Sequence, residues 1–137
     1  MKSGKLYYIC LTLTYPMSTE EKKALLLLKS MIFHYHGLDE DEMQILKNTA
    51  SELDAEDELN WANSFIAEDY GSAFERARGF LKDTLGQHEK SQRLAYLDQV
   101  WKDNYQKGYI TEMEATAMLE LAKDWGIQSE LITMVRS

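Results

Sequence analysis

Apolar residues recur at helical spacing along nearly the whole chain. From Met17 to Ser137 there is no proline, and a stretch of this kind, rich in Leu, Ala, Glu and Lys, favours helix. Seven segments with this spacing are separated by glycines or by polar residues that typically begin a helix. The pattern therefore predicts an all-α fold, a single compact bundle of about seven helices with short connections.

The first predicted helix covers residues 19–35. Ser18 and Glu21 have the spacing of a capping box, in which each side chain accepts from the other's backbone N–H. The segment ALLLLKSMIF is apolar on nearly every side, so this helix should occupy the centre of the bundle. Gly37 is predicted to end it, because glycine is common just past a helix C-terminus.

The next three helices are predicted from similar signals. Asp39 caps the second helix with Glu42 as its partner, Asp54 caps the third, and Ser72 begins the fourth. Gly79, inside the fourth helix, costs about 1 kcal/mol relative to alanine. That cost suggests close contact between this glycine and a neighbouring element.

The last three helices follow the same rules. The fifth covers residues 89–106 and ends before Gly108, and the sixth begins after Thr111 with Glu114 completing a capping box. The seventh begins near Ser129. The inward face of the fifth helix is predicted to comprise Leu94, Leu97, Trp101 and Tyr105.

Residues 1–17 differ from the rest of the chain, which is predicted to be one domain, residues 18–137. The segment KLYYICLTLTY is β-branched and aromatic, a composition that favours extended structure. We expect an arm that packs on the helical body or on a second copy, so that deleting residues 1–16 should change stability or oligomeric state. Met17 is an alternative start of the protein, since MSTEEKK resembles a helix N-terminus.

Charge and cysteine content narrow the classes of partner. The net charge of −8 argues against nucleic-acid binding, which needs clustered Lys and Arg. It favours basic protein partners, cations or simply solubility. Cys10 is the only cysteine, which fits a reducing compartment, and we expect the cytoplasm. The N-terminal apolar run is too short to span a bilayer as a helix.

The segment DNYQKGYITEME, residues 103–114, has the outline of a calcium loop. Asp103 and Glu114 occupy its first and twelfth positions, but the third and fifth positions, where oxygen ligands are required, hold Tyr105 and Lys107. Helix termination at Gly108 and helix capping explain the remaining residues. The sequence therefore predicts a structural joint here and no calcium site.

Two stretches of the chain, residues 33–46 and 102–119, share one pattern. Each contains an apolar helix end, a glycine, an apolar residue, a helix cap and a glutamate three residues after the cap. The two copies lie roughly 70 residues apart. They predict two helical hairpins of related design, with these joint residues: Gly37, Asp39 and Glu42 in the first, and Gly108, Thr111 and Glu114 in the second.

The second of these stretches, extended to QRLAYLDQVWKDNYQKGYITEMEATAMLELAKDWGI, resembles the second half of a TerB-like (tellurite-resistance B-type) domain. Its matching positions are Gly108, Ile110, Thr111, Glu114 and the WGI of residues 125–127. HGLDEDEMQIL resembles the corresponding turn of the first half. The likeness covers about residues 20–135, and it lies in the layout of helix boundaries.

The resemblance implies an all-helical fold with internal pseudo-twofold symmetry. It also implies an accessory role, linked to stress or to a membrane complex, without known catalysis. In such domains acidic residues at the two turns are associated with metal. Here His36 and Lys107 replace the acidic residue expected before each glycine, and a lysine would repel a divalent cation.

Two interpretations of function remain open beside an enzyme, for which the chain shows no catalytic motif. The favoured one is a non-catalytic helical module that binds protein partners or itself, needs no cofactor and has no catalytic residues. The alternative is a weak divalent-cation site, in which carboxylates of the two turns converge. Its candidate ligands are Asp39, Glu40, Glu42 and Glu114.

Overall fold

The computed structural model describes residues 17–34, 39–106 and 108–136, except the side chains of 105 and 106. These ranges contain seven α-helices, two short 3-10 turns and no strand, which confirms the predicted all-α bundle. The helices, in chain order, are α1 (Thr19–Phe33), α2 (Glu40–Leu53), α3 (Glu56–Ala67), α4 (Ala73–Thr84), α5 (Lys90–Gln106), α6 (Glu112–Asp124) and α7 (Gln128–Arg136).

Helix α1 lies at the centre of the bundle and packs against α2, α3, α4, α5 and α6. Every residue from Ala24 to Phe33 is buried, as expected for a helix that is apolar on nearly all sides. This buried run includes one charged residue, Lys29.

Capping boxes begin the three helices for which the sequence predicts them. Ser18, Asp39 and Thr111 each accept a hydrogen bond from the backbone N–H three residues later, and the glutamate at that position accepts one in return. Two donors at each helix start are thereby satisfied. The predicted beginnings of α1, α2 and α6 are confirmed.

One other predicted helix cap is wrong. Asp54 ends α2 in a left-handed conformation, with φ at 52°, and α3 begins after Ala55 without a side-chain cap. Ser72 directly precedes the first residue of α4, as predicted, and its hydroxyl donates to Asp69 Oδ2 at 2.9 Å. The two-residue link between α2 and α3 leaves Asp54 too close to the end of α2 to serve the next helix.

Two packing expectations are also corrected. Gly79 is exposed, and a Cβ at that position would meet nothing within 4 Å, so no neighbour explains this glycine. The buried face of α5 differs from the predicted stripe, since Leu94 and Trp101 are only partly buried. The buried residues of α5 are Tyr96, Leu97, Gln99, Val100, Asp103 and Asn104.

The two joints are described to different extents. Gly108 has φ of +95°, a conformation that glycine adopts without the clash of a Cβ. Gly37, His36, Lys107 and the arm of residues 1–16 lie outside the described residues. Helix α2 packs directly on α1, whereas α5 and α6 both pack on α7, and the pseudo-twofold repeat stays a prediction.

Candidate functional site

A buried ion pair connects α1 and α5 inside the bundle. Lys29 Nζ of α1 lies 2.9 Å from Asp103 Oδ2 of α5, and the two side chains are only 2% and 6% exposed. Lys29 Nζ also donates to Thr49 Oγ1 of α2 at 3.3 Å, and Thr49 in turn donates to the carbonyl of Ile45 at 2.9 Å. Three helices are therefore connected through one buried ammonium group.

Asp103, the first residue of the apparent calcium loop, does not lie in a loop. It lies inside α5, and its carboxylate contacts Lys29 rather than facing a loop. A carboxylate that neutralises a buried cation is committed to that contact, because separating the pair would leave two uncompensated charges away from water. Asp103 therefore has a structural role.

The glutamates of the two joints are also structural. Glu42 and Glu114 are both fully buried. Glu42 Oε1 accepts from the backbone N–H of Asp39 at 3.2 Å. Glu114 Oε1 accepts from the backbone N–H and the hydroxyl of Thr111 at 2.9 and 3.0 Å. These buried carboxylates satisfy helix-start donors that would otherwise lack partners.

The four proposed metal ligands do not form a described metal site. Asp39 and Glu40 are exposed, whereas Glu42 and Glu114 are buried in their capping boxes. Among residues 17–34, 39–106 and 108–136, no group of three or more His, Cys, Asp or Glu side chains could hold a metal ion. Nothing in these contacts supports the divalent-cation alternative.

A surface groove is lined by residues of α1, α3, α4 and α6. It consists of two depressions, of about 210 and about 180 Å³, that share the ring of Phe74 at the start of α4. We call it the Phe74 groove. Its first depression is lined by Met31, His34, Ile66, Tyr70, Gly71 and Ala73, and its second by Glu112, Met113, Thr116, Ala117 and Glu120.

Exposed apolar side chains mark both ends of the Phe74 groove. Tyr70 is 66% exposed and Met113 is 56% exposed. Only two other large hydrophobic side chains in the described part of the chain are exposed, Met43 and Tyr109. Two of the four therefore lie on one surface, where they flank the partly buried Phe74. Grouped exposed apolar residues with a polar rim are typical of binding surfaces.

The second depression of the Phe74 groove has an acidic rim. The carboxylates of Glu112 and Glu120 belong to its lining. Glu112 is exposed at the start of α6, and Glu120 retains 41% of its side-chain exposure. The groove thus combines an apolar floor with two acidic side chains, of which Glu120 also lies 3.9 Å from Arg78 Nη2.

The arginines beside the groove are held by the protein itself. Arg78 donates from Nε and Nη2 to the two carboxylate oxygens of Asp124, both at 2.8 Å. These hydrogen bonds lower the pKa of Asp124 and raise the pKa of Arg78. In both groups the effect of the hydrogen bonds is larger than the opposite effect of burial. Arg76 donates to the carbonyls of Phe65 and Asp69 at 2.9 and 2.8 Å. Each guanidinium is thus committed to partners within the chain.

His34 forms one wall of the first depression. Its ring centroid lies 6.0 Å from that of Tyr70. Burial lowers the pKa of His34, and the nearby Glu42 only partly offsets this effect. The imidazole is therefore neutral at pH 7, which leaves the first depression apolar with a neutral polar edge.

Sequence reasoning did not find the Lys29–Asp103 pair or the Phe74 groove. The lysine interrupting ALLLLKSMIF is a signal that could have been used, because a charged residue inside an all-round apolar helix requires a buried partner. The groove had no such signal. Its walls come from α1, α3, α4 and α6, and only the packing of these helices brings them together.

No protein-family model, curated protein or solved structure matches the chain. The resemblance to TerB-like domains therefore stays a prediction. In the described part of the chain, no helix is both long enough and apolar enough to cross a membrane.

Proposed function

We propose that this protein is a non-catalytic interaction module that docks a basic, partly apolar segment of a partner protein in the Phe74 groove. The supporting observation is the groove itself, in which Tyr70 and Met113 are exposed and Glu112 and Glu120 of α6 supply an acidic edge. Apolar contact provides affinity, and opposite charge selects the partner and accelerates its approach.

The chemistry of the groove favours docking over catalysis. Its lining is mostly apolar, and its one histidine is neutral at pH 7 because burial lowers its pKa. The acidic residues in its lining are Glu112, which is exposed, and Glu120, which lies 3.9 Å from Arg78 Nη2. We place the module in the cytoplasm, on the basis of a single cysteine, in the accessory role that the TerB-like layout implies.

Binding of a synthetic amphipathic helical peptide of leucine and lysine tests this proposal. Fluorescence anisotropy at low salt should show binding of this peptide and much weaker binding of a counterpart in which glutamate replaces lysine. Met113→Ser should raise the Kd roughly fivefold, because about 1 kcal/mol of apolar contact is lost.

Met43→Ser is the matched control, since Met43 is also an exposed methionine, 40% accessible, but lies on α2. It should leave the Kd unchanged. Equal effects of the two substitutions, or equal binding of the lysine and glutamate peptides, would contradict docking in the Phe74 groove.

A further inference from the structure

The two depressions of the Phe74 groove differ in charge. The described residues that line the first include no acidic residue, lysine or arginine, and its His34 is neutral at pH 7 because burial lowers the pKa of this residue. Those that line the second include Glu112 and Glu120 and, again, no lysine or arginine. The first depression therefore suits an apolar side chain, and the second suits a cationic one.

Each depression is suited to a single side chain. Their volumes, about 210 and about 180 Å³, lie below the roughly 300 to 1,000 Å³ of pockets that enclose drug-sized molecules. Both depressions share the ring of Phe74. Two groups that contact one ring from its two sides stand about 7 to 8 Å apart, because each contact is about 3.5 to 4 Å. Side chains four positions apart on a helix start about 5 to 6 Å apart and diverge outward, which matches this separation.

Helix α6 carries the two glutamates of the second depression on one face. Glu112, Thr116 and Glu120 follow each other at intervals of four residues, a spacing that places them in a row along a helix. Thr116 lies about 6 Å along the axis from each glutamate, at 1.5 Å per residue. A cation near Thr116 is therefore within reach of both carboxylates. Met113 and Ala117 of the same lining offer apolar contact to the methylene groups of a long basic side chain.

Arg78 does not neutralise this pair of glutamates. Its guanidinium donates to both carboxylate oxygens of Asp124 at 2.8 Å and lies farther from Glu120, at 3.9 Å. The two-pronged contact with Asp124 is the stronger one. Glu112 is exposed at the start of α6, and 41% of the Glu120 side chain is exposed. Both carboxylates are thus accessible to a cation from outside.

We propose that the Phe74 groove recognises two side chains of a partner helix, an apolar one in the first depression and a lysine or arginine in the second, four positions apart. The methylene groups of the basic side chain contact Phe74 and Met113, and its charged end lies between Glu112 and Glu120. This inference rests on the proposed function and narrows it. The placement of two side chains, rather than the net charge of the segment, decides which partner binds.

Two helical peptides of identical composition test the spacing. Both are fluorescently labelled alanine–glutamine helices with one leucine and one lysine, which lie four positions apart in the first peptide and two positions apart in the second. Positions i and i+4 share a helix face, whereas i and i+2 do not. Fluorescence anisotropy at low salt should give a Kd about fivefold lower for the first peptide, because only this peptide can place both side chains. Equal Kd values, or tighter binding of the second peptide, would overturn the inference.

Substitutions in the protein assign each peptide side chain to its depression. Replacing the lysine with glutamine should raise the Kd about fivefold for the unsubstituted protein, but less than about twofold for Glu112→Gln with Glu120→Gln. Replacing the leucine with alanine should also raise the Kd about fivefold, but less than about twofold for Tyr70→Ala, which removes an exposed wall of the first depression. The crossed combinations should be additive, because they change separate depressions. Coupling of the lysine to Tyr70 instead of to the glutamates would contradict the assignment.

Glu40→Gln with Asp41→Asn is the matched control for the two glutamates. It removes the same net charge from exposed residues at the start of α2, away from the groove. The effect of replacing the peptide lysine should be the same in this control as in the unsubstituted protein. If the control also removes that effect, overall charge recognises the lysine and the second depression does not.

The outcomes separate failure of this inference from failure of the proposed function. If the leucine–lysine peptide of the proposed function does not bind and neither two-residue helix binds, both proposals fail. If the leucine–lysine peptide binds, but the two-residue helices do not bind or show no effect of spacing, the groove docks basic and apolar segments without this selectivity. In that case the proposed function stands and the inference fails.

Discussion

Acidic residues two positions apart on α6 have opposite surroundings. Glu114 is fully buried and accepts hydrogen bonds from Thr111, whereas Glu112 is exposed beside the Phe74 groove. Positions i and i+2 of a helix do not share a face, so one carboxylate points into the bundle and the other toward solvent. The buried Glu114 completes the capping box of α6, and the exposed Glu112 is available to a partner.

Other acidic residues of the protein also fall into a buried group and an exposed group. Asp103 and Glu42 belong with Glu114, because each is buried against a donor of the chain. Glu120 belongs with Glu112 on the rim of the groove. The difference shows that an acidic residue indicates function only once its contacts are known. Substitutions in the first group should lower stability, and those in the second should lower binding.

The largest expected loss of stability comes from separating Lys29 from Asp103. Lys29→Met or Asp103→Leu alone should lower the free energy of unfolding by about 3 to 5 kcal/mol, because a buried charge then has no partner. The double variant should recover most of that loss, since two packed apolar side chains replace a buried ion pair at little cost. Urea unfolding of the four proteins measures the coupling. Additive losses would show that the charges do not interact.

A smaller loss is expected from the cap of α6. Thr111→Ala should lower the free energy of unfolding by about 1 kcal/mol, because Glu114 N–H loses its acceptor Thr111 Oγ1 at 3.1 Å. The loss should be equal with and without calcium, as the residues of the apparent calcium loop serve the helices. A calcium-dependent rise in the melting temperature of the unsubstituted protein would contradict this assignment.

Acid should weaken the contact between α4 and α6. Because hydrogen bonding to Arg78 lowers the pKa of Asp124, the folded state favours the charged form. This contribution is complete above the unfolded pKa, near 4 for aspartate, and is lost as the pH falls through the lower folded pKa. Asp124→Asn should cost about 1 kcal/mol at pH 7 and flatten the pH dependence of unfolding below pH 4.

Asp83→Asn, at an exposed position near the end of α4, is the control for this acid effect. It should leave the pH dependence of the melting temperature unchanged. If both variants flatten the curve equally, the Arg78–Asp124 pair does not cause the acid sensitivity.

The helical bundle could be predicted from the sequence because each helix start depends on neighbouring residues. Ser18, Asp39 and Thr111 each have a glutamate three positions later, so the capping box is a local property. Asp54 and Gly79 were misinterpreted because their roles depend on the length of a link and on what lies opposite. The local sequence pattern shows neither the length of the link nor the residues that lie opposite.

The site could be predicted only in part. Net charge indicated a basic partner, but the rim of the groove comes from α4 and α6, which packing alone brings together. The buried face of α5 was mistaken for a similar reason. Asp103 turns inward to meet a lysine 74 positions earlier in the chain, and hydrophobic periodicity does not register a charge pair.

Glu112→Ala and Glu114→Ala, compared in one experiment, test most directly the division between internal and external carboxylates. Thermal unfolding and anisotropy with the leucine–lysine peptide should be measured for each. We expect Glu114→Ala to lose about 2 kcal/mol of stability, as buried donors lose their acceptor, and to retain its Kd when folded. Glu112→Ala should keep its stability within about 0.5 kcal/mol and bind the peptide about threefold more weakly at low salt. The reverse result, with Glu112 needed for stability and Glu114 for binding, would contradict the account.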